Sequence, residues 1–176
     1  IKQWSDPTST PIEDIRGWKT YVLEQTGIEP NGLVLGQRVW DKLVDHPDIL
    51  DRIKGAASPG NPAIATRQAV AAFFELQNVW VMKGIQNTAD ENQAASHSFI
   101  GGKRALLVYS APAPDLMTPS GGYTFAWNGY LGGTSSVQIK RFRLEAIASD
   151  RVEIEETRDQ KMISSSLGVM FDTVVA

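Results

Sequence analysis

The sequence predicts an α+β protein, and three features of the 176-residue chain predict it. An amphipathic helical pattern opens the chain, helix and strand patterns mix in its middle, and alternating apolar and polar positions fill its last part. Hydrophobic residues make up 42% of the chain and charged residues 21%, which is typical of a folded globular protein.

The first predicted element is a helix over residues 11–26. Thr10 offers an N-cap hydroxyl, Pro11 suits the first helical position, and Glu13 is placed to complete a capping box. Gly27 supplies the left-handed residue that ends many helices. The apolar side chains of this helix recur three and four residues apart, at Ile12, Ile15, Trp18 and Val22.

The middle of the chain mixes short strands and helices that are separated by turn residues. Continuous apolar runs between turns predict buried strands, whereas spacings of three and four residues predict helices. Residues 87–98 are polar and predict a surface excursion, and residues 111–122 predict a long irregular loop. The predicted strands are 33–35, 79–82, 105–109 and 123–127, and the predicted helices are 37–44, 48–53 and one that begins at Thr66.

Antiparallel sheet is predicted for the last part of the chain, where apolar and polar residues alternate. The apolar positions change parity between Ile139 and Phe142. A β-bulge near Lys140 and Arg141 would keep them on one face. A last alternating segment, 169–175, predicts a terminal strand.

This layout predicts two regions, one inserted into the other. Residues 1–30 and 137–176 are expected to form one discontinuous unit, in which the β-rich end packs against the entry helix. Residues 31–136 form the inserted region. Because the first residue is Ile1 and not Met, we expect the chain to be a piece of a longer protein.

Composition excludes several classes of function. Seventeen basic and 20 acidic residues give a formal net charge of −3, without the basic excess that nucleic-acid binding requires, so no specific nucleic-acid site is expected. The chain has no Cys, which excludes disulfides and thiolate sites. Its longest apolar run, 69–74, is far shorter than the roughly 20 residues of a membrane-spanning helix, so no membrane partner is expected.

The motifs of nucleotide binding and of serine hydrolysis fail. Around Gly102 and Lys103, the phosphate-loop pattern requires glycine where His97 stands and Ser or Thr where Arg104 stands. Gly102 instead fits a turn before the next strand. No Gly-x-Ser-x-Gly elbow occurs, and His46 and His97 are the only histidines that could act as a base.

Metal binding and paired-carboxylate catalysis are equally poorly supported. His46, Asp48 and Asp51 lie close in sequence but lack metal-ligand spacing, and we expect His46 to end one helix while Asp48 caps the next. Glu153 and Glu155 share one strand face, as solvated or partner-facing acids often do. We therefore predict no catalytic, cofactor-binding or metal-binding residue, no cofactor and no enzyme activity.

Charge is densest between Lys140 and Lys161, where six basic and six acidic side chains lie. The first strand of this segment is mainly basic and the second mainly acidic. Ion pairs within one subunit would explain the pattern, and so would opposite charges that orient one subunit on another; both remain open. The side chains predicted to contact a neighbouring subunit are Lys140, Arg141, Arg143, Glu153 and Glu155.

Eight sequence blocks stand in a distinctive order. The first four are Trp4-Ser5-Asp6-Pro7, Pro11 to Ile15, Thr26 to Gly36 and Leu43 to Lys54. The others are Phe74 to Gly84, Asn87-Thr88-Ala89, Gly102 to Tyr109 and Tyr123 to Trp127. In their order and spacing, along nearly the whole chain, these blocks resemble the major capsid proteins, or major head proteins, of tailed phages.

The resemblance implies a Hong Kong 97-like phage capsid fold. In that fold a peripheral domain contains a long spine helix, and an axial domain is inserted into it. The helix from residue 11 would be the spine, residues 31–136 the axial-type domain, and residues 137–176 the return to the peripheral-type domain.

The function implied is that of a structural protein that self-assembles into an icosahedral shell around DNA, in a free phage or a prophage. Its partners would be copies of itself in capsomer hexamers and pentamers, together with scaffold or portal proteins. It would be made in the host bacterial cytoplasm and end in the virion. A bacterial nanocompartment shell, as in encapsulins, is the alternative, and a small hydrolase is a weaker one.

Overall fold

The computed structural model describes residues 2–56, 65–115, 117–129 and 136–176. Within these residues the chain is α+β and divides into two compact units, Ile1–Gly121 with Ser164–Ala176, and Gly122–Ile163. The elements in chain order are α1 (Pro11–Thr26), β1 (Gly32–Gly36), α2 (Gln37–Val44), α3 (Pro47–Ala56), α4 (Arg67–Phe73), β2 (Asn78–Met82), β3 (Ile85–Asn87), β4 (His97–Phe99), β5 (Ala105–Val108), β6 (Gly122–Ala126), β7 (Val137–Leu144), β8 (Ser149–Glu156), β9 (Arg158–Met162) and β10 (Gly168–Phe171).

A four-stranded mixed sheet organises the first unit, in the order β10-β5-β1-β2. β1 runs parallel to β2 and antiparallel to β5, and β10 runs antiparallel to β5. Alternation along the strands turns Leu33, Leu35 and Leu107 into the core, where each is fully buried. The strands predicted from apolar runs at β1, β2 and β5 are confirmed.

Helix α1 has the predicted bounds but not the predicted N-terminal cap. Pro11 occupies the first turn, and the Gly27 N–H donates to the Leu23 carbonyl oxygen at 2.8 Å from a left-handed conformation. The Thr10 hydroxyl makes no capping hydrogen bond. Thr10 has φ −123° and ψ 73°, away from the extended geometry that aims a cap hydroxyl at the first turn.

His46, and not Asp48, caps helix α3. The His46 ring is buried, and its Nδ1 accepts a hydrogen bond from the Asp48 backbone N–H at 3.2 Å. Its Nε2 lies 3.0 Å from the Ser9 hydroxyl oxygen, which ties the N-terminal segment to α3. The Asp48 carboxylate instead contacts Arg52 at 3.4 Å. The predicted cap is wrong because α3 begins one residue earlier, at Pro47.

Two further segments of the first unit differ from prediction. The polar excursion over 87–98 is exposed as predicted, but its ends pair as a short hairpin, β3–β4. The terminal strand ends at Phe171 and does not continue to Val175. Thr173 has a φ of 56°, and the adjacent Val174 and Val175 are both buried, which a straight strand with one buried face cannot achieve.

The described residues of the second unit form two two-stranded antiparallel sheets, β6–β9 and β7–β8. β7 and β8 pair without interruption from Val137↔Glu156 to Leu144↔Ser149. The predicted bulge near Lys140 and Arg141 is therefore wrong. Its premise was a single apolar face, whereas this pair of strands keeps exposed apolar side chains on both faces.

The boundaries of the compact units do not coincide with the predicted boundaries at residues 30 and 136. Helix α1 shares one hydrophobic core with β1 and β5, because Ile12 and Ile15 are buried together with Leu33 and Leu107. The assignment of peripheral-type and axial-type domains concerns the neighbours of each region in a shell, and it stays a prediction.

Candidate intersubunit surface

The antiparallel pair β7–β8, here called the ribbon, carries all five side chains predicted to contact another subunit. Because side chains alternate along each strand and paired residues share a face, the register divides them into two sets. The aliphatic face consists of Val137, Ile139, Arg141, Arg143, Asp150, Val152, Ile154 and Glu156. The mixed face consists of Gln138, Lys140, Phe142, Leu144, Ser149, Arg151, Glu153 and Glu155.

Branched aliphatic side chains lie uncovered at the centre of the aliphatic face. Ile139 is directly opposite Ile154, and these side chains are 68% and 71% exposed. Val152, two residues before Ile154, is 58% exposed. Apolar side chains that lie together on a surface make it a candidate for contact with another surface.

The charged side chains of the aliphatic face form ion pairs within the chain. Asp150 lies 2.8 Å from the Arg141 guanidinium and 3.5 Å from that of Arg143. Glu156 lies 3.4 Å from Arg158 on β9. These pairs are exposed and so contribute little to stability, at most about 1 kcal/mol each.

The mixed face is better covered and also pairs its charges internally. The Lys140 ammonium lies 2.7 Å from Glu155, and the Arg151 guanidinium lies 2.5 Å from Glu153. Arg151 also stands over the Phe142 ring, with its guanidinium carbon 5.7 Å from the ring centroid. Glu153 and Glu155 are thus both ion-paired within the chain.

The structure separates the five predicted contact residues. Arg141 and Arg143 lie on the aliphatic face, whereas Lys140, Glu153 and Glu155 lie on the mixed face. Each has an opposite charge within its own chain, so the intrachain explanation accounts for the pattern of charge. Their contact with another subunit stays a prediction.

Sequence reasoning missed the exposed aliphatic side chains between these charges. The sequence pattern identifies Ile139 and Ile154 only as members of alternating strands. The available signal is the alternation itself: valine and isoleucine alternate with polar residues on both strands, and no third strand of the described residues pairs with β7 or β8.

The remaining sequence candidates concern a metal site, a phosphate loop and a membrane-spanning helix. No group of three or more His, Asp or Glu side chains in the described ranges is placed to hold a metal ion. Gly102 adopts a φ of 52° in the turn before β5, as the turn prediction requires. No helix among the described residues is long and apolar enough to cross a membrane.

A groove of about 440 Å³ lies beside α4 and β2, lined by residues that include Arg67, Gln77 and Trp80. Its lining contains no His, Asp, Glu, Lys or Tyr that could act as an acid or a base. The groove therefore gives no support to the hydrolase alternative.

Comparisons with known proteins find a matching family, a relative in sequence and a neighbour in structure. The family model described as phage major capsid protein E matches residues 2–119. A major capsid protein of Pseudomonas phage JBD67 is 28% identical over 174 residues, which cover 99% of this chain and 53% of that protein. The crystal structure of a phage-related protein from Bordetella bronchiseptica RB50 superposes with a TM-score of 0.81 at 20% identity, over 98% of this chain and 54% of that one. The chain thus spans about half the length of these relatives.

Proposed function

The chain belongs to the phage major capsid protein E family, and from this membership we propose that it is part of a structural subunit of a phage head. The resemblance found in the sequence blocks is confirmed by the family match and by the capsid relative. The family's role is structural. The alternatives of a nanocompartment shell and of a hydrolase are not favoured by any comparison.

The family match over residues 2–119 is the observation that carries the proposal. Surface composition supports it. Large apolar side chains are exposed on both compact units, among them Ile85 and Met170 at 60% and Trp127 at 62%. A subunit whose faces are covered by neighbouring subunits has this surface, whereas a protein that works alone keeps such patches small.

In more detail, we propose that the subunit has a Hong Kong 97-like fold. In it, α1 is the spine helix, residues 1–30 and 137–176 belong to a peripheral-type domain, and residues 31–136 belong to an axial-type domain. The position of α1 before the mixed sheet supports this order of elements. Copies of the subunit would meet in hexamers and pentamers, with scaffold or portal proteins as further partners.

The proposed subunit is made in the host bacterial cytoplasm and ends in the virion as the shell around DNA. A shell protein does not need to bind the DNA that it encloses, so the net charge of −3 is compatible with this role. No catalytic residue, cofactor or metal is part of the proposal.

Electron microscopy of the gene product that contains this chain, expressed in bacteria, tests the function. The expected result is closed shells of uniform size. DNA that survives nuclease treatment of shells purified from phage-producing cells identifies a phage head, whereas shells filled with a protein cargo identify a nanocompartment. A gene product that stays monomeric at every concentration and hydrolyses small esters would overturn the structural proposal.

A further inference from the structure

The aliphatic face of the ribbon has opposite charges on its two strands. On this face β7 presents Arg141 and Arg143, whereas β8 presents Asp150 and Glu156. The exposed side chains of Ile139 and Ile154 lie directly opposite each other along the same face. The face is therefore neutral as a whole, with an apolar centre.

A surface with this pattern is complementary to itself. When a second ribbon is turned over by a two-fold axis along the ribbon, β7 of one copy lies over β8 of the other. The register then brings Ile139 over Ile154 of the second copy and Arg143 over Asp150 of the second copy. Face-to-face sheets pack about 10 Å apart, which is the spacing that interdigitated isoleucines fill.

The other two-fold arrangement is disfavoured by charge. An axis across the ribbon lays β8 over β8, and Asp150 then approaches Glu156 of the second copy. Like charges that face each other at a contact oppose association, so charge selects the axis along the ribbon. Burial of the aliphatic side chains drives the association, and the charged side chains set its orientation.

We propose that the aliphatic face of the ribbon is a two-fold contact between two copies of this chain. The inference rests on the proposed function, because closed icosahedral shells contain two-fold axes on which identical surfaces meet. It adds Ile139, Val152 and Ile154 to the predicted contact residues, and it gives the charges of the aliphatic face an orienting role.

A first experiment separates the aliphatic face from the remaining apolar surface of the unit. Ile154→Lys changes a 71% exposed side chain on the face, and Ile147→Lys changes a 69% exposed side chain in the turn between β7 and β8. Sedimentation equilibrium of the 176-residue chain over a wide concentration range measures dimerisation. Circular dichroism checks that each variant keeps the fold.

The expected result is a dimer whose dissociation constant rises by about tenfold or more in Ile154→Lys and stays unchanged in Ile147→Lys. Equal dissociation constants in the wild-type chain and Ile154→Lys would overturn the contact. A wild-type chain that is monomeric at millimolar concentration would overturn it as well.

A second experiment distinguishes interchain from intrachain pairing of the charges. One variant combines Arg141→Glu with Arg143→Glu, so that its face is acidic; the other combines Asp150→Arg with Glu156→Arg, so that its face is basic. Both variants lose the pairs of Asp150 with Arg141 and Arg143, the basic variant also loses the pair of Glu156 with Arg158, and each variant alone repels its own copies. We expect a heterodimer when the two are mixed. Mixing cannot restore intrachain pairs, so a mixture of monomers contradicts the proposal.

The two proposals fail separately. If the gene product forms shells and Ile154→Lys changes neither the dimer nor the shells, the ribbon contact is wrong and the capsid function stands. If the chain dimerises through the ribbon but the gene product forms no shell, the contact stands and the capsid function is wrong.

Discussion

The ammonium group of Lys19, on α1, lies 3.0 Å from the carbonyl oxygen of Phe74, at the C-terminal end of α4. It also donates to the Glu75 carbonyl oxygen at 3.0 Å and contacts the Glu29 carboxylate at 2.9 Å. Lys19 is buried, and Glu75 adopts a φ of 53°. A single buried cation thus connects α1 to the turn between α4 and β2.

Replacement of Lys19 by Met tests this connection. The carbonyl oxygens of Phe74 and Glu75 lose a charged donor, and we expect the free energy of unfolding to fall by about 2 kcal/mol. Urea denaturation monitored by circular dichroism measures the change. Lys42→Met, at an exposed position on α2, is the matched control and should stay within about 0.5 kcal/mol of the wild-type value. Equal losses of unfolding free energy in both variants would show that the contacts of Lys19 with the carbonyl oxygens do not stabilise the fold.

Trp4 anchors the N-terminal segment with both its ring and its backbone. The side chain is fully buried, its Nε1–H donates to the Asp14 carboxylate at 3.1 Å, and its backbone N–H donates to the Val174 carbonyl oxygen at 2.7 Å. Residues near both ends of the chain are therefore held in one core.

Two substitutions separate the ring from its hydrogen bond. Trp4→Ala should lower the free energy of unfolding by about 3–5 kcal/mol, because it leaves a cavity. Trp4→Phe keeps most of the ring and should cost about 1–2 kcal/mol through the lost N–H donor and the smaller ring. A double-mutant cycle with Asp14→Ala measures the hydrogen bond itself. A coupling energy indistinguishable from zero would contradict the assigned bond.

The spacing of apolar residues predicts the positions of helices and strands better than it predicts the residues that cap them. The apolar repeat of α1 and the alternation along β7 and β8 are local patterns, and all three elements lie where these patterns predict them. The cap of α3 depends on His46, whose ring also contacts Ser9, 37 residues earlier in the chain. Contacts of this range leave no local signal in the sequence.

Prediction of the candidate surface from the sequence is limited in the same way, because it also depends on contacts between separate strands. The charges of the ribbon were identified from the sequence, but their ion pairs depend on a register that places Arg143 opposite Asp150. The predicted bulge assumed a single buried face. Both faces carry exposed apolar side chains, so that assumption has no physical basis; the uninterrupted register places Ile139 and Ile154 on one face, where both are exposed.

Two glycines of the first unit should respond in opposite directions to a methyl group. A Cβ added at Gly36 would lie 2.5 Å from the Gly102 carbonyl oxygen and 3.0 Å from that of Gly101, both of them backbone atoms. A Cβ at Gly17, inside α1, meets no atom within 4 Å. Close approach of two backbone segments therefore requires glycine at position 36, and nothing requires it at position 17.

We expect Gly36→Ala to lower the free energy of unfolding by about 1–3 kcal/mol, because the turn that contains Gly102 must shift. Gly17→Ala should raise it by about 0.5–1 kcal/mol, because alanine favours the helical backbone. Urea denaturation midpoints of both variants measure the difference. A Gly36→Ala variant as stable as the wild-type chain would show that the turn that contains Gly102 can shift without a loss of stability.

Asp6 gives the fold a dependence on acid pH. The hydrogen bond from the Thr8 backbone N–H, at 2.9 Å, and a second from the Thr8 hydroxyl hold the pKa of the Asp6 carboxyl below its ordinary value of 3.8. A carboxyl whose pKa is lower in the folded state adds stability that is fully present above its unfolded pKa. That contribution is lost as the pH falls through the folded pKa.

Asp6→Asn removes this titration and keeps an oxygen that can accept from Thr8. The wild-type chain should therefore be more stable than Asp6→Asn at about pH 6, and the difference should shrink towards zero at about pH 2. Denaturation midpoints of both proteins at the two pH values measure this difference in stability. Asp90→Asn is the control, because the Asp90 carboxylate accepts no hydrogen bond from the described residues. The sign of the change between the two pH values is the test. A difference that grows as the pH falls would mean that the Asp6 carboxyl is held protonated in the folded state, which the two Thr8 donors oppose.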